Sequence, residues 1–557
     1  MEIAEDNRST KAYEKQRAGV HEASNSSKLS LSSYFSNLPA SEDPFESVFE
    51  RSVSVNKLES HSPVRSDNSK FPKSDLPVDS STLHRLRQRD AWLPSEATRQ
   101  ALLTDRATRL ATCTEVRPVL SKLSESDPVS DPPALLADPY RTVLLRYLKD
   151  EATVDALRCV PNPVEQTSKN IENLKELISS GWYRTALEVT RRLLADEGFL
   201  EERGGAVLTP FTAQVWLARL ALLVRTRNFE LAERELTSFQ SLDSPNVYFE
   251  HAPELYPDRY GSIIPFSLRL LHAELPFHLN RTEESLNRLY YMLAVIARIR
   301  SNLEKGYTED GSVLQPTPGY REASLSLWAC REVRVLSSCL SIYLAELDYQ
   351  AAIETVHQLA IVCDGSQPVL RGLASVLGRI YLQMGDLETA KAYFNQSVSG
   401  IDSKNHHHLA TQQLFQKALL CLGKGEYEES KKLFQQVLSL DPTNVAAANN
   451  MVVCSLYLSQ LDGAIRVLDT LTTTGLSGQI LDTSPTNSGV IEAERTKVTL
   501  PSLQRRFCLH DALVFNLAVL YDVESDNATA KKVKLLERLA RLPGEPVNIA
   551  AFKLPIN

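Results

Sequence analysis

From about residue 165 to the C-terminus, apolar positions recur every three or four residues in paired runs, each pair broken by a short polar turn. That spacing lays an apolar stripe along one helix face and predicts helical hairpins rather than strands. The clearest pair is Ala374–Val398, where Leu377 and Gly378 precede Tyr381, the turn Gly385-Asp386 follows, and Ala390 and Phe394 come after it. Gly378 and Ala390 are small enough for two helices to cross closely, while Tyr381 and Phe394 fill the groove beside the crossing. Downstream the frame returns as Glu426-Tyr427, Ser430, Phe434 and Val437, ended by Asp441-Pro442. It returns again 34 residues on (430 to 464) as Ala464, Leu468 and Leu471. Upstream it reads Asp348-Tyr349, Ala352, Val356 and Leu359. Weaker copies are Ser285, Leu289 and Met292; Phe229, Ala232, Leu236 and Phe239; and Tyr183, Ala186, Thr190 and Leu193. A terminal copy carries Leu517-Ala518 and Tyr521, with a degraded second helix that includes Ala530.

A large–small pair and an aromatic on the first helix, then a small and a large residue on the second, make the tetratricopeptide arrangement. The expected fold is therefore all-α, a right-handed α-solenoid of tetratricopeptide-type hairpins over 165–557, clearest at 337–367, 371–398, 411–444 and 445–473. A Thr-, Ser-, Gly- and Pro-rich stretch, 473–502, reads as a flexible insertion containing Ser484-Pro485, a candidate phosphosite. Residues 1–90 hold 19 serines and nearly balanced charge, 13 basic against 14 acidic, with no sustained periodicity. Such a segment buries too little apolar surface to offset its ordering entropy, so a disordered N-terminal tail is expected. It contains Asp43-Pro44-Phe45, similar to adaptor-appendage ligands, and Ser62-Pro63, a second candidate phosphosite. Order is expected from Trp92, with Ser95 capping a helix that runs to about Cys113. Short helices and Pro-rich connectors then occupy the rest of 91–164, one helix spanning Pro139 to Leu148.

Charge narrows the picture only a little. The 61 basic and 69 acidic residues leave a net of −8, no general footprint for nucleic acid. No apolar run approaches the ~18 residues of a membrane span, so no direct membrane insertion is expected. The charged N-terminus lacks a signal-peptide core, and the eight cysteines form no C-x-x-C pair. A cytoplasmic protein with reduced, mostly buried thiols follows as the expectation. Phosphate-loop, dinucleotide, H-E-x-x-H and G-x-S-x-G motifs are all missing, so neither catalysis nor a cofactor is expected. His406-His407-His408 reads as a solvated loop, because adjacent histidines do not converge on one helical face to hold a metal. A solenoid presents its concave surface to partners. There Arg379, Gln383, Asn449 and Asn450 offer protein contacts, although the lysines with which some relatives clamp chaperone C-terminal carboxylates are missing. A peptide-binding adaptor or co-chaperone is thus the alternative to a scaffold.

Several stretches exceed what repeat packing requires: Ala91–Glu96, Val215–Val224, Tyr256–Arg269, Leu271–Leu275, Ser301–Glu304 and Gly378–Asp386. Together they resemble the tetratricopeptide subunit family of the transport protein particle, or TRAPP, tethering complex, over residues 90 to 557. The resemblance implies a non-catalytic scaffold subunit of a TRAPP III-type assembly, supporting ER-to-Golgi transport, Golgi organisation and autophagy. It implies the other TRAPP subunits as partners, the large arm subunits above all. The link to a Rab-type GTPase would be indirect, through the small core subunits that carry exchange activity. It also implies a peripheral location at the ER-Golgi intermediate compartment and Golgi membranes. Tyr256, Arg259 and Tyr260 are the candidate contacts in the most distinctive stretch.

Overall fold

A computed structural model of the chain describes residues 91–103, 137–158, 160, 171–199, 208–253, 255–257, 259–312, 318–363, 367–399, 407–442, 444–477 and 510–555. Among them every regular element is helical, and the only extended pairing is an isolated antiparallel bridge between Tyr248 and Ser262. The expected tail 1–90 with its two motifs, Ser484-Pro485, and the continuation of the first helix to Cys113 lie outside the described residues.

Three helices precede the array: α1 (Glu96–Leu103), α2 (Pro139–Leu148) and α3 (Glu151–Leu157). Eight hairpins follow among the described residues. They begin with α4 (Ile171–Ser180) and α5 (Tyr183–Asp196), α6 (Pro210–Arg225) and α7 (Phe229–Thr237), then α8 (Phe266–His278) and α9 (Thr282–Glu304). Next come α10 (Pro318–Ala345) and α11 (Tyr349–Val362), then α12 (Gln367–Met384) and α13 (Leu387–Val398). The last three are α14 (His407–Lys424) with α15 (Tyr427–Leu440), α16 (Val445–Tyr457) with α17 (Leu461–Ser477), and α18 (Asp511–Glu524) with α19 (Ala528–Ala540). The helix α17 continues to Ser477, beyond the expected break at Thr473, and His407 and His408 open α14 rather than forming a loop.

Seven of these hairpins turn in the same way. One or two residues after the first helix stands a residue of left-handed φ: Gly181 at 78°, Arg227 at 61°, Asn280 at 61°, Leu347 at 64°, Gly385 at 88°, Gly425 at 80° and Ser459 at 59°. Its amide bonds the carbonyl three residues back, and the next amide bonds the carbonyl five back, as in Gly385 to Leu382 (3.1 Å) and Asp386 to Tyr381 (3.0 Å). Two orphan carbonyls of the first helix are satisfied as the chain reverses. Glycine enters this backbone freely, whereas Arg227, Leu347 and Ser459 hold it against roughly 1–2 kcal/mol of steric preference. Side chains then start the second helix: Asp348 accepts from the Ala351 amide (3.1 Å) and Asp386 from that of Thr389 (3.0 Å).

The small position on the second helix is filled by Ala186, Ala232, Ser285, Ala352, Ala390, Ser430 and Ala464, each 0% exposed. The two serines are satisfied across the crossing, Ser285 Oγ donating to the Ala273 carbonyl (2.6 Å) and Ser430 Oγ to that of Ala418 (2.8 Å). The last hairpin differs. Ser525 in its turn is extended at φ −163°, so α19 is rotated and Ala530 is exposed, while Ala528, Leu535, Leu536 and Leu539 face the core.

The two ends of the array meet. After α19, the Glu545 amide donates to the Gly181 carbonyl (2.8 Å) and the Glu545 carboxylate pairs with Arg184 (3.4 Å). Gly544, at φ 74°, lies so close to the first hairpin that an added Cβ would stand 2.5 Å from the Gly181 carbonyl carbon. The join is covered by α2 and α3, whose Tyr140, Val143, Leu144 and Val154 share a core with Leu517, Leu535, Leu536 and Phe552. Arg158 ties the pieces together. It donates to the carbonyls of Ala540 (3.4 Å), Leu542 (3.3 Å) and Gly544 (2.7 Å), pairs with Asp138, and lies over the rings of Tyr140 (4.6 Å) and Trp182 (4.9 Å). Residues 137–158 are thus a clasp that closes the array.

Candidate functional site

The distinctive stretches of the sequence supply buried polar locks. Asp243, between α7 and α8, is the centre of the largest. Its carboxylate accepts from Trp92 Nε1 (3.2 Å), Arg269 Nη1 (2.8 Å), Tyr248 (3.3 Å) and Tyr291 (3.0 Å), and its carbonyl accepts from Thr98. Arg269 also donates to the Leu242 carbonyl (2.8 Å) and Ser262 Oγ (2.9 Å), and its guanidinium lies 4.7 Å from the Trp92 ring centre. Ser95 caps α1 by accepting from the Thr98 amide (3.2 Å), which fixes Thr98 towards this centre. Burial, and then Asp243, pushes the Tyr291 phenol up to about 12. Burial together with Arg288 and Arg269 holds the His272 imidazole neutral, down to about 4. Trp92 and Arg269, 177 positions apart (269 less 92), therefore belong to one lock.

Other stretches do the same work elsewhere. Arg219, wholly buried in α6, makes a two-point pair with Glu235 of α7 (2.8 and 2.6 Å) and reaches the Leu187 carbonyl (3.3 Å). Asn302 Nδ2 donates to the Glu309 carbonyl (2.9 Å), and the Glu309 carboxylate accepts from Tyr320 (2.8 Å). Glu274 accepts from Ser338; burial raises its carboxyl, against the pull of Ser338 and Arg334. No periodic signal marks Asp243 or Glu309, which sit between hairpin helices, and Glu235 lies within a weak copy whose apolar pattern does not call for a buried acid.

The Tyr256–Tyr260 segment divides into packing and surface. Tyr256 meets Phe249 edge-on (5.0 Å), and the Arg259 guanidinium lies 4.2 Å from the same ring centre. Gly261, at φ 101°, makes the turn that a side chain would strain, its amide donating to Glu250 (3.0 Å) and its carbonyl accepting from the Phe249 amide (3.0 Å). Tyr260 is 51% exposed. The two residues should therefore separate on mutation. Arg259→Ala is expected to lower stability by roughly 0.5–2 kcal/mol through the lost ring contact, whereas Tyr260→Ala, at a half-exposed ring, should lower the melting temperature less. Thermal melts of the single variants check this; equal effects would put both residues in the packing.

In the array, Leu377, Gly378, Ala390, Phe394, Ser430, Phe434, Ala464 and Leu468 are buried, while half-buried Tyr381 stacks on Tyr393 (5.4 Å). Of the four groove residues offered for protein contact, Gln383 is half-buried and Arg379, Asn449 and Asn450 are buried. Asn449 is corrected from a contact to an internal bridge: it accepts from Asn516 Nδ2 (2.5 Å), joining α16 to α18. A matching bridge joins α12 to α14, where Gln416 Nε2 donates to Ser375 and Ser397 (3.0 Å each). Asn450 stands one period after Gln416, but the residue in the Ser375 place is then Phe415, and Asn450 Nδ2 has no partner. Among the described residues no group of three His, Cys, Asp or Glu side chains is placed to hold a metal, and no helix is long and apolar enough to cross a membrane.

Comparison with known proteins agrees with this architecture. Tetratricopeptide-repeat family profiles match residues 375–399 and 422–475. The chain is a homologue of two curated proteins called Trafficking protein particle complex subunit 12. It is 33% identical to that of Mus musculus over 476 residues, covering 84% of this chain and 54% of the relative. It is 34% identical to that of Homo sapiens over 479 residues, covering 84% and 58%. The chain thus spans little more than half the length of these relatives. A solved tetratricopeptide domain of P58(IPK) aligns with 67% of this chain and 98% of its own at 13% identity, but the TM-score of 0.15 is too low for the shapes to correspond.

Proposed function

We propose, from its homology to trafficking-complex subunits over 84% of its length, that this tetratricopeptide chain is a non-catalytic scaffold subunit of a TRAPP-type tethering complex. In this reading it supports ER-to-Golgi transport, Golgi organisation and autophagy from the cytoplasmic side of ER-Golgi intermediate and Golgi membranes. Its partners are the other subunits, the large arm subunits first, with a Rab-type GTPase reached only through the catalytic core. The observation that carries the reading is the sequence match, and the locks at Asp243 and Arg219 give it a physical sense. Both are polar centres that generic repeat packing does not need, and both use residues from the distinctive stretches. A closed, rigid array suits an architectural part, because a scaffold transmits geometry only as well as its own shape is held.

Affinity purification of the tagged full chain from cells tests the proposal. Stoichiometric recovery of TRAPP subunits is expected, with no acceleration of nucleotide exchange by the purified chain alone. Recovery of chaperones in their place, or intrinsic exchange activity, would overturn it.

A further inference from the structure

Four arginines of the described residues are at least nine-tenths buried, and three have a carboxylate partner: Arg158 with Asp138, Arg219 with Glu235 and Arg269 with Asp243. The fourth is Arg379 on α12, 6% exposed, and among the described residues nothing accepts a hydrogen bond from it. Burial alone draws its guanidinium down to about 10, with no acid near enough to offset the loss of water. An unmatched buried charge is strongly disfavoured, and the other three buried arginines among the described residues are each paired.

Its place in the array indicates what completes it. First helices touch one another across successive hairpins, α6 with α8 and α8 with α10. Side-chain bridges join α12 to α14 and α16 to α18 in the same way. Helices that meet across hairpins lie on the shorter radius, so the first helices form the inner layer of the curved array. On that layer Arg379 carries a guanidinium with no carboxylate beside it. The missing group is therefore anionic.

We propose that Arg379 receives a carboxylate from an acidic segment of a partner protein lying along the inner face of the array. A carboxylate suits a single guanidinium, whose planar fork matches it in charge and shape. A phosphate, near −2 in charge, would call for further cations beside it. The inference rests on the reading of the array as a partner-binding scaffold and specifies the chemistry of one contact.

Two measurements on the full chain test it. Arg379→Met keeps the side chain's length and removes the unmatched charge, so the melting temperature of the free protein should rise, by about 2 °C or more. A fall would mean that the fold itself uses the guanidinium, and would overturn the proposal. Second, a display library of random peptides of about twelve residues is selected on the immobilised chain. Selected peptides should share an Asp or Glu at one position and bind Arg379→Met at least about tenfold more weakly. Selection without an acidic residue, equal binding by the variant, or no selection, as when another part of this chain fills the site, overturns the proposal. Co-purification of trafficking subunits is read separately, so failure of this contact and failure of the scaffold reading are distinguishable.

Discussion

Arg158→Ala is expected to open the closed array and to cost about 3–5 kcal/mol, the range for removing one partner of a buried ion pair. The loss has three parts. Asp138 is left buried without its counter-charge, the carbonyls of Ala540, Leu542 and Gly544 lose a donor, and the Tyr140 and Trp182 rings lose the cation between them. Because Arg158 joins the two ends rather than one hairpin, the change should also alter shape. Small-angle scattering should show a larger radius of gyration, alongside the lowered melting temperature. Arg158→Lys keeps the charge but not the fork that reaches three carbonyls and Asp138 together, and should lose an intermediate amount. A destabilised variant with unchanged scattering would show that the remaining contacts between Gly544 and Gly181 hold the ends without the clasp.

Gly378→Val should be the most damaging single change inside a hairpin. A Cβ at residue 378 would stand 2.5 Å from both Cδ1 and Cε1 of Phe394, so even alanine forces the ring to move, and valine adds two further methyl groups. Overpacking of this kind costs typically about 1–3 kcal/mol for a modest insertion, and valine is expected at the upper end or beyond. Since each repeat leans on its neighbours, the loss should spread through the array rather than melt one hairpin. Phe394→Leu in the same chain frees space where the valine enters and should recover part of the loss, a positive coupling measurable in a double-mutant cycle. Additive losses would mean that the strain is relieved elsewhere than at the ring.

Glycine in the left-handed turn position does not by itself decide how legible a hairpin is. It fills that position at 385 and 425, where the hairpin reads directly from the sequence, but also at 181, before one of the weaker copies. Leu347 and Ser459 fill it in two of the clear hairpins, and Arg227 and Asn280 before the weaker copies at 229–239 and 285–292. The terminal hairpin misled the reading at Ala530. There the spacing persists while the turn geometry changes, and the buried stripe moves with the rotated helix. The candidate site divides likewise. Asn449 and Arg379 look alike in the sequence as polar residues on first helices, yet one is spent on Asn516 and the other has no partner.

By itself the sequence determined the hairpins, their small–large crossings and the residues at which they pack, because helix periodicity and side-chain volume are local properties of the chain. The resemblance was legible too, read from stretches around Trp92, Arg219 and Tyr256–Arg269. Only the tertiary structure decided what those stretches do: Trp92 meets Asp243 across 151 positions, and Tyr140 meets Val547 across 407. Closure of the array was likewise invisible beforehand. Each hairpin contributes a small rotation that no single repeat encodes, and the sum brings Gly544 against Gly181. The state of each buried arginine follows from the same cause, since a counter-charge is set by where distant segments arrive and not by the residues beside it in the chain.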